Sequence, residues 1–224
     1  MDWQLDAAEA RVLGALLEKE IATPEYYPLS LNALVNACNQ KSNRDPVVAY
    51  DESTVEGALE GLRAKGLAAR LTGREIRVPK HSQRFTEQFN LGRREAALVC
   101  ELLLRGPQTV GELRGRSERL FEFDDLEAVE TTLNHLAEMG FAARLVRDAG
   151  SREPRWAHLL AGQPAAGTGE AQSAAEAGTR DTAADRIDAL ERELAELRRE
   201  FDELRKRFDR GVRPLPPHDT VELR

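Results

Sequence analysis

Residues Val55–Leu71, VEGALEGLRAKGLAARL, recur 74 residues later as Val129–Leu145, VETTLNHLAEMGFAARL. Val, Glu, two Leu, Gly and the run Ala-Ala-Arg-Leu match position for position. Self-similarity at a fixed offset decides the architecture before any single element does. In each copy the apolar residues fall at i, i+4 and i+7, as Val55, Leu59 and Leu62 and as Val129, Leu133 and Leu136. That spacing makes one buried stripe of a helix. Ser53 or Thr54 can cap the first copy's helix. Gly66 and Gly140 are where the helices stop, because glycine takes a left-handed conformation at little cost.

After each glycine the period changes. Leu67–Leu71 reads as a strand, Thr72-Gly73-Arg74 as a turn and Glu75–Val78 as a return strand, with Ile76 and Val78 alternating against Glu75 and Arg77. The second copy repeats this with Phe141–Val146, a turn at Asp148–Ser151 and a return through Trp156. A helix and hairpin following two earlier helices is the winged-helix arrangement. The predicted fold class is therefore mostly α with small β-hairpins, α+β by content. It comprises two tandem winged-helix domains plus a C-terminal coiled-coil helix. The expected boundaries are 1–80, 81–160, a tether at 161–183, a heptad helix at 184–211 and a tail at 212–224.

Upstream, Asp6–Glu20 forms the first helix, with Leu5, Val12, Leu13, Leu16 and Leu17 on its buried side. Two prolines break the chain at Ile21–Leu29, where Tyr26 and Tyr27 are expected to pin the loop by burying their rings. Ser30 caps a second helix with Leu31, Leu34, Val35 and Cys38 apolar. In the second copy Arg93–Arg105 is the first helix, Gly106-Pro107 ends it, and Thr109 caps a short helix. Glu9 aligns with Glu95 at an offset of 86, so the first copy carries 12 extra residues in the loops flanking its second helix. Phe85 and Phe89, at i and i+4 in the joint His81–Asn90, predict a packed connection.

The run Leu16–Val48, LLEKEIATPEYYPLSLNALVNACNQKSNRDPVV, resembles the signature of the YceH-like family of uncharacterised bacterial proteins. The resemblance covers about residues 5–160 and implies two winged-helix domains in tandem, in agreement with the repeat. It implies no activity and no catalytic residues.

Beyond residue 160 the composition shifts. Ala161–Ala183 holds no large apolar residue and reads as a flexible tether. Ile187, Leu190, Leu194, Leu197, Phe201, Leu204 and Phe208 then alternate at spacings of 3 and 4. In a parallel homodimer the flanking pairs Arg186 with Glu191, Glu193 with Arg198, and Glu200 with Arg205 are all opposite in sign. An amphipathic helix folding back on the chain's own domains is the alternative.

The formal charge of −7 divides as −2 over residues 1–80, −2 over 81–160 and −3 over 161–224, so neither domain has the basic excess of an obvious nucleic-acid binder. With 27 Arg against 5 Lys, no lone arginine is evidence for phosphate. The basic residues cluster on the hairpins instead: Arg70, Arg74, Arg77 and Lys80 on the first, Arg144, Arg147, Arg152 and Arg155 on the second. Lys41 and Arg44 add charge in the signature loop. Wing cations hold phosphates without reading sequence. The repeated helices expose Glu56, Glu60, Glu127, Glu130 and Glu138, which repel phosphate, and leave Thr131, Thr132 and Asn134 as base-readers.

Chemistry is harder to find. The four histidines, at 81, 135, 158 and 218, lie far apart, and no Ser/His/Asp set, metal spacing or phosphate-cradling glycine loop occurs. Cys38 and Cys100 sit in apolar helical patterns and read as buried thiols, a disulfide being the alternative. The expectation is a cytoplasmic, non-enzymatic homodimer without cofactor, metal or membrane contact, which associates with DNA through its wings. The alternative is a module that binds a protein partner through its acidic helices.

Overall fold

A computed structural model describes residues 4–73, 76–146 and 153–162. The chain divides into two units, Met1–Thr168 and Gly169–Arg224. The second unit, including the heptad Ile187–Phe208, and most of the tether lie outside the described residues, as do Arg74, Arg147 and Arg152.

Helix α1 spans Ala7–Ala22. Asp6 caps it: the Glu9 N–H donates to Asp6 Oδ1 at 2.8 Å, and the Asp6 N–H donates back to Glu9 Oε2 at 2.9 Å. The two bonds satisfy donors that the helix itself leaves open. A 3-10 turn at Pro24–Tyr26 leads to β1, Leu29–Ser30, and then α2, Leu31–Cys38, capped by Ser30. Tyr27 is half-buried and its hydroxyl accepts from the Gln83 N–H at 2.6 Å, but Tyr26 is 71% exposed. The loop is thus pinned by one tyrosine and not by two.

Helix α3 spans Glu52–Ala64. Its cap is Asp51, to which both candidate caps, Ser53 and Thr54, donate their hydroxyls. A carboxylate just before them displaces the hydroxyls because it can accept the Thr54 N–H, at 2.8 Å, as well as both side chains. Val55, Leu59 and Leu62 are fully buried, each contributing about 2 kcal/mol by area. Gly66, at φ +74°, ends the segment, and the Leu67 N–H returns to the Leu62 carbonyl at 2.8 Å.

The hairpin is β2, Ala68–Gly73, and β3, Ile76–Gln83, in an antiparallel sheet of order β1-β3-β2. Leu29 and Arg70 both lie opposite His81, and the register slips after Leu71. The return strand runs five residues past the Val78 expected from sequence, into the joint. Residues 80–83 are polar, yet β3 is the central strand and is paired on both edges for part of its length.

The second copy follows the same order. A short α4, Phe85–Gln88, precedes α5, Arg93–Arg105; α6 is Val110–Ser117, α7 is Leu126–Glu138, and the hairpin is β4, Ala142–Arg144, with β5, Trp156–His158. Gln108 bridges to Trp156 as β1 does to β3. Among the described residues the chain is therefore a mixed α/β protein of seven α-helices and two small antiparallel sheets.

One continuous hydrophobic cluster runs through both copies. Helices α1 and α5 cross closely at Gly14, where an added Cβ would stand 2.9 Å from Leu104 Cδ2 and 3.1 Å from Leu103 Cβ. Phe85, Phe89 and Phe141 meet edge to face, with centroids 4.9–5.2 Å apart, so the joint is packed as the i, i+4 spacing predicts. The Leu5 N–H donates to the Leu160 carbonyl at 2.7 Å.

Candidate functional site

The structure sorts the expected site residues into three groups. Arg70 and Arg77 of the first hairpin, Arg144 and Arg155 of the second, and Lys41 are exposed, while Lys80 is half-buried. Arg70 and Arg144 are equivalent in register as in sequence, paired across the hairpin with His81 and Trp156. His81 is buried beneath this edge; burial first, then the charges of Arg63 and Arg70, hold its pKa below the ordinary range, with Glu56 acting the other way.

An open groove lies against the first hairpin. It is lined by Arg77, Val78 and Lys80 of β3, by Ser30, Leu31 and Asn32 at the start of α2, and by Glu52 at the start of α3. Register sets Lys80 opposite Ser30. The corresponding place in the second copy is occupied from within. Arg155 Nη1 donates to the Pro107 carbonyl at 2.8 Å and to Glu112 Oε2 at 3.1 Å. Glu112 also accepts the Thr109 N–H at 2.9 Å and approaches Arg116 at 3.4 Å.

The solvent faces of α3 and α7 carry the expected carboxylates, since Glu56, Glu60, Glu127, Glu130 and Glu138 are all exposed. Thr131 and Asn134 are exposed beside them. Thr132 is not available to read a base: it is buried and its hydroxyl donates to the Ala128 carbonyl at 2.9 Å. A threonine in a helix commonly bonds back in this way. His135 is exposed, as its place beside the stripe suggests.

Arg44 is the expected loop contact that the structure removes from the surface. It is only 5% exposed, and its guanidinium grips Glu18 with Nη1–Oε1 at 3.0 Å and Nη2–Oε2 at 2.6 Å. Its remaining donors go to the Ala37 and Asn43 carbonyls and to Gln40 Oε1. Burial drives the Glu18 pKa up, but the hydrogen bonds and charge of Arg44, with Arg119, outweigh it and hold the group below its usual value. Arg119 spans the copies, reaching Glu18 at 2.6 Å and Glu101 at 3.2 Å. Burial raises the Glu101 pKa despite Arg119 and Arg105; Arg105 Nε lies 3.2 Å from Glu101 Oε2 as an ion contact, outside hydrogen-bond alignment. Arg105 also donates to Asn43 Oδ1, and the Asp45 N–H donates to the Leu104 carbonyl at 2.9 Å.

The signature loop is therefore a clasp that holds α5 of the second copy against α1 of the first. Sequence reasoning misses Glu18, Glu101, Arg105 and Arg119. A signal is present, because Glu101 interrupts the run AALVCELLL and Glu18 follows Leu16-Leu17 on a buried helix. A carboxylate inside an apolar stripe needs a buried partner.

Both cysteines are free and buried. Burial lifts the Cys38 thiol to about 12 and raises the Cys100 thiol well above its ordinary value, so neither offers a thiolate. Among the described residues no group of three or more His, Cys, Asp or Glu is placed to hold a metal ion, and no helix is long and apolar enough to cross a membrane.

These features define a duplicated three-helix-and-hairpin protein whose copies are locked by a buried ionic clasp. Residues 5–151 match the family described as protein of unknown function, DUF480. The chain is 67% identical over 197 residues to a UPF0502 protein of Solibacter usitatus, covering 88% of this chain and 94% of that one. It is 50% identical over 197 residues to a UPF0502 protein of Citrifermentans bemidjiense, covering 87% and 90%. A UPF0502 protein of Pelobacter propionicus is 51% identical over 201 residues, covering 88% and 91%. The chain belongs to this family of uncharacterised bacterial proteins, which the YceH-like resemblance fits.

Proposed function

We propose that the two copies are winged-helix units in tandem and that the protein is a non-enzymatic, DNA-associated regulator. It holds the duplex backbone through hairpin cations, with Arg70, Arg77, Lys80 and Arg144 as the described contacts. The observation that carries this reading is the contrast between elements. In both copies the hairpin presents an exposed arginine at the equivalent position, while the helix before it presents carboxylates. Such an arrangement suits phosphate contact better than base reading. Homodimerisation through the heptad Ile187–Phe208 would give two such sets, matched to paired half-sites. The reading requires a cytoplasmic protein with access to duplex DNA.

Leu126, 50% exposed at the start of α7 beside Glu127 and Glu130, favours a second reading in which the acidic helix docks a protein. Titration against mixed duplex DNA at about 50 and about 200 mM salt separates the two, because phosphate binders weaken steeply over that range. Salt-sensitive binding that Arg70→Ala with Arg144→Ala diminishes supports DNA association. An absence of binding at the lower salt ends that reading and turns attention to Leu126 and its acidic neighbours.

A further inference from the structure

The copies share a plan but differ in charge at one place. The residues paired across from Arg70 and Arg144 are His81 and Trp156, so Arg155, which precedes Trp156, stands where Lys80 stands in the first copy. The helix caps Ser30 and Thr109 are likewise equivalent, and each accepts the N–H of the residue three further on, Ala33 or Glu112. Position 33 thus matches position 112. The second copy places a carboxylate there and neutralises it with its own Arg155 at 3.1 Å. The first copy has the helix start and the hairpin cation but only a methyl group in place of the carboxylate.

Lys80 and Arg77 form no ion pair with any described residue. They line an open groove with Ser30 and Asn32, where Glu52 is the one carboxylate among the described residues, so cations outnumber anions two to one. We infer that the first copy's groove takes an external anion where the second copy uses Glu112, that this anion is a backbone phosphate of duplex DNA, and that the copies are therefore unequal. At this one place the first copy holds a phosphate and the second is satisfied by its own Glu112, while Arg70 and Arg144 remain equivalent contacts. This assignment rests on the DNA-association reading above.

The test exchanges the charge pattern between copies in the full chain, with duplex DNA titrated across the same salt range. Arg77→Ala with Lys80→Ala is expected to weaken binding about tenfold or more and to flatten the salt slope by about 2. Ala33→Glu, which gives the first copy its own carboxylate, should weaken binding similarly. Arg155→Ala should change affinity by less than about twofold, and Glu112→Ala, which leaves Arg155 its Pro107 carbonyl bond but removes its carboxylate partner, should tighten binding. Melting temperatures check that each variant folds; if Ala33→Glu does not, the hairpin pair and Glu112→Ala still decide. The inequality is overturned if wild type binds but Arg155→Ala costs as much as the hairpin pair, or if folded Ala33→Glu binds like wild type. If wild type binds no duplex at low salt, the DNA reading fails and takes this assignment with it.

Discussion

Arg44 and Glu18 show how much one residue's surroundings can overrule its type. Each is a surface residue by composition, yet together they form a two-pronged ion pair inside the clasp. Arg44→Met is expected to destabilise the fold by about 3–5 kcal/mol, because Glu18 keeps a buried charge with Arg119 at 2.6 Å and Lys19 at 3.6 Å but without its two-pronged partner. Arg44→Lys should recover little, since an ammonium cannot serve both carboxylate oxygens and two carbonyls. Urea denaturation midpoints read both effects. His158 makes a separate prediction. Its Nδ1 is buried without a partner, and burial lowers its pKa to about 4. The unfolded chain therefore binds this proton more readily. The associated stability is present in full above about pH 6.5 and is lost as pH falls toward 4, up to about 3 kcal/mol. Glu101, with its raised pKa, acts in the opposite sense, so the comparison to make is with His158→Phe. The difference in urea midpoint between wild type and that variant should change steadily as pH falls from 7 to 5, with wild type losing ground to the variant.

Among the elements, the crossing of α1 on α5 depends on the absence of a side chain at Gly14. Gly14→Val should lower stability by about 1–3 kcal/mol through overpacking against Leu103 and Leu104. Gly57, on the exposed face of α3, has open space for 4 Å around the place a Cβ would take, and Gly57→Ala should raise stability by roughly 0.5–1 kcal/mol. Thermal melts of the two variants should move in opposite directions. The helices are legible in the sequence because their signals are local: the stripe Val55, Leu59, Leu62, the stop at Gly66 and the cap at Ser30 each lie within a few residues of what they control. The length of β3 is not, because Lys80-His81-Ser82-Gln83 lacks apolar alternation and is held as strand by partners at Leu29 and Ala68. Arg44 escapes a sequence reading for the same reason, its partner being 26 residues away. The hairpin cations are legible as a cluster, but that Arg155 has a carboxylate partner and Lys80 has none among the described residues requires the positions of Glu112 and Ala33.

For the unit as a whole, one hydrophobic core runs from Leu5 to Leu160 through both copies of the repeat. The clasp adds the polar counterpart, tying Asn43, Arg44 and Asp45 to Glu101, Leu104 and Arg105 through direct bonds or through Glu18 and Arg119. Residues 4–162 should accordingly unfold in one cooperative step, with calorimetric and van't Hoff enthalpies in agreement. Two resolved transitions, one for each copy, would show that the shared core does not couple them.

The bond from Leu5 to Leu160 gives this unit a topology that the linear order conceals. Gln4 also lies against Gly162, its amide 3.1–3.2 Å from where a Cβ would be. The two copies thus close into a ring, and the point at which the polypeptide is severed becomes a matter of genetic order more than of physics. A circular permutant that joins Gly162 to Gln4 through a few glycines and opens after Gly73 should retain the same fold.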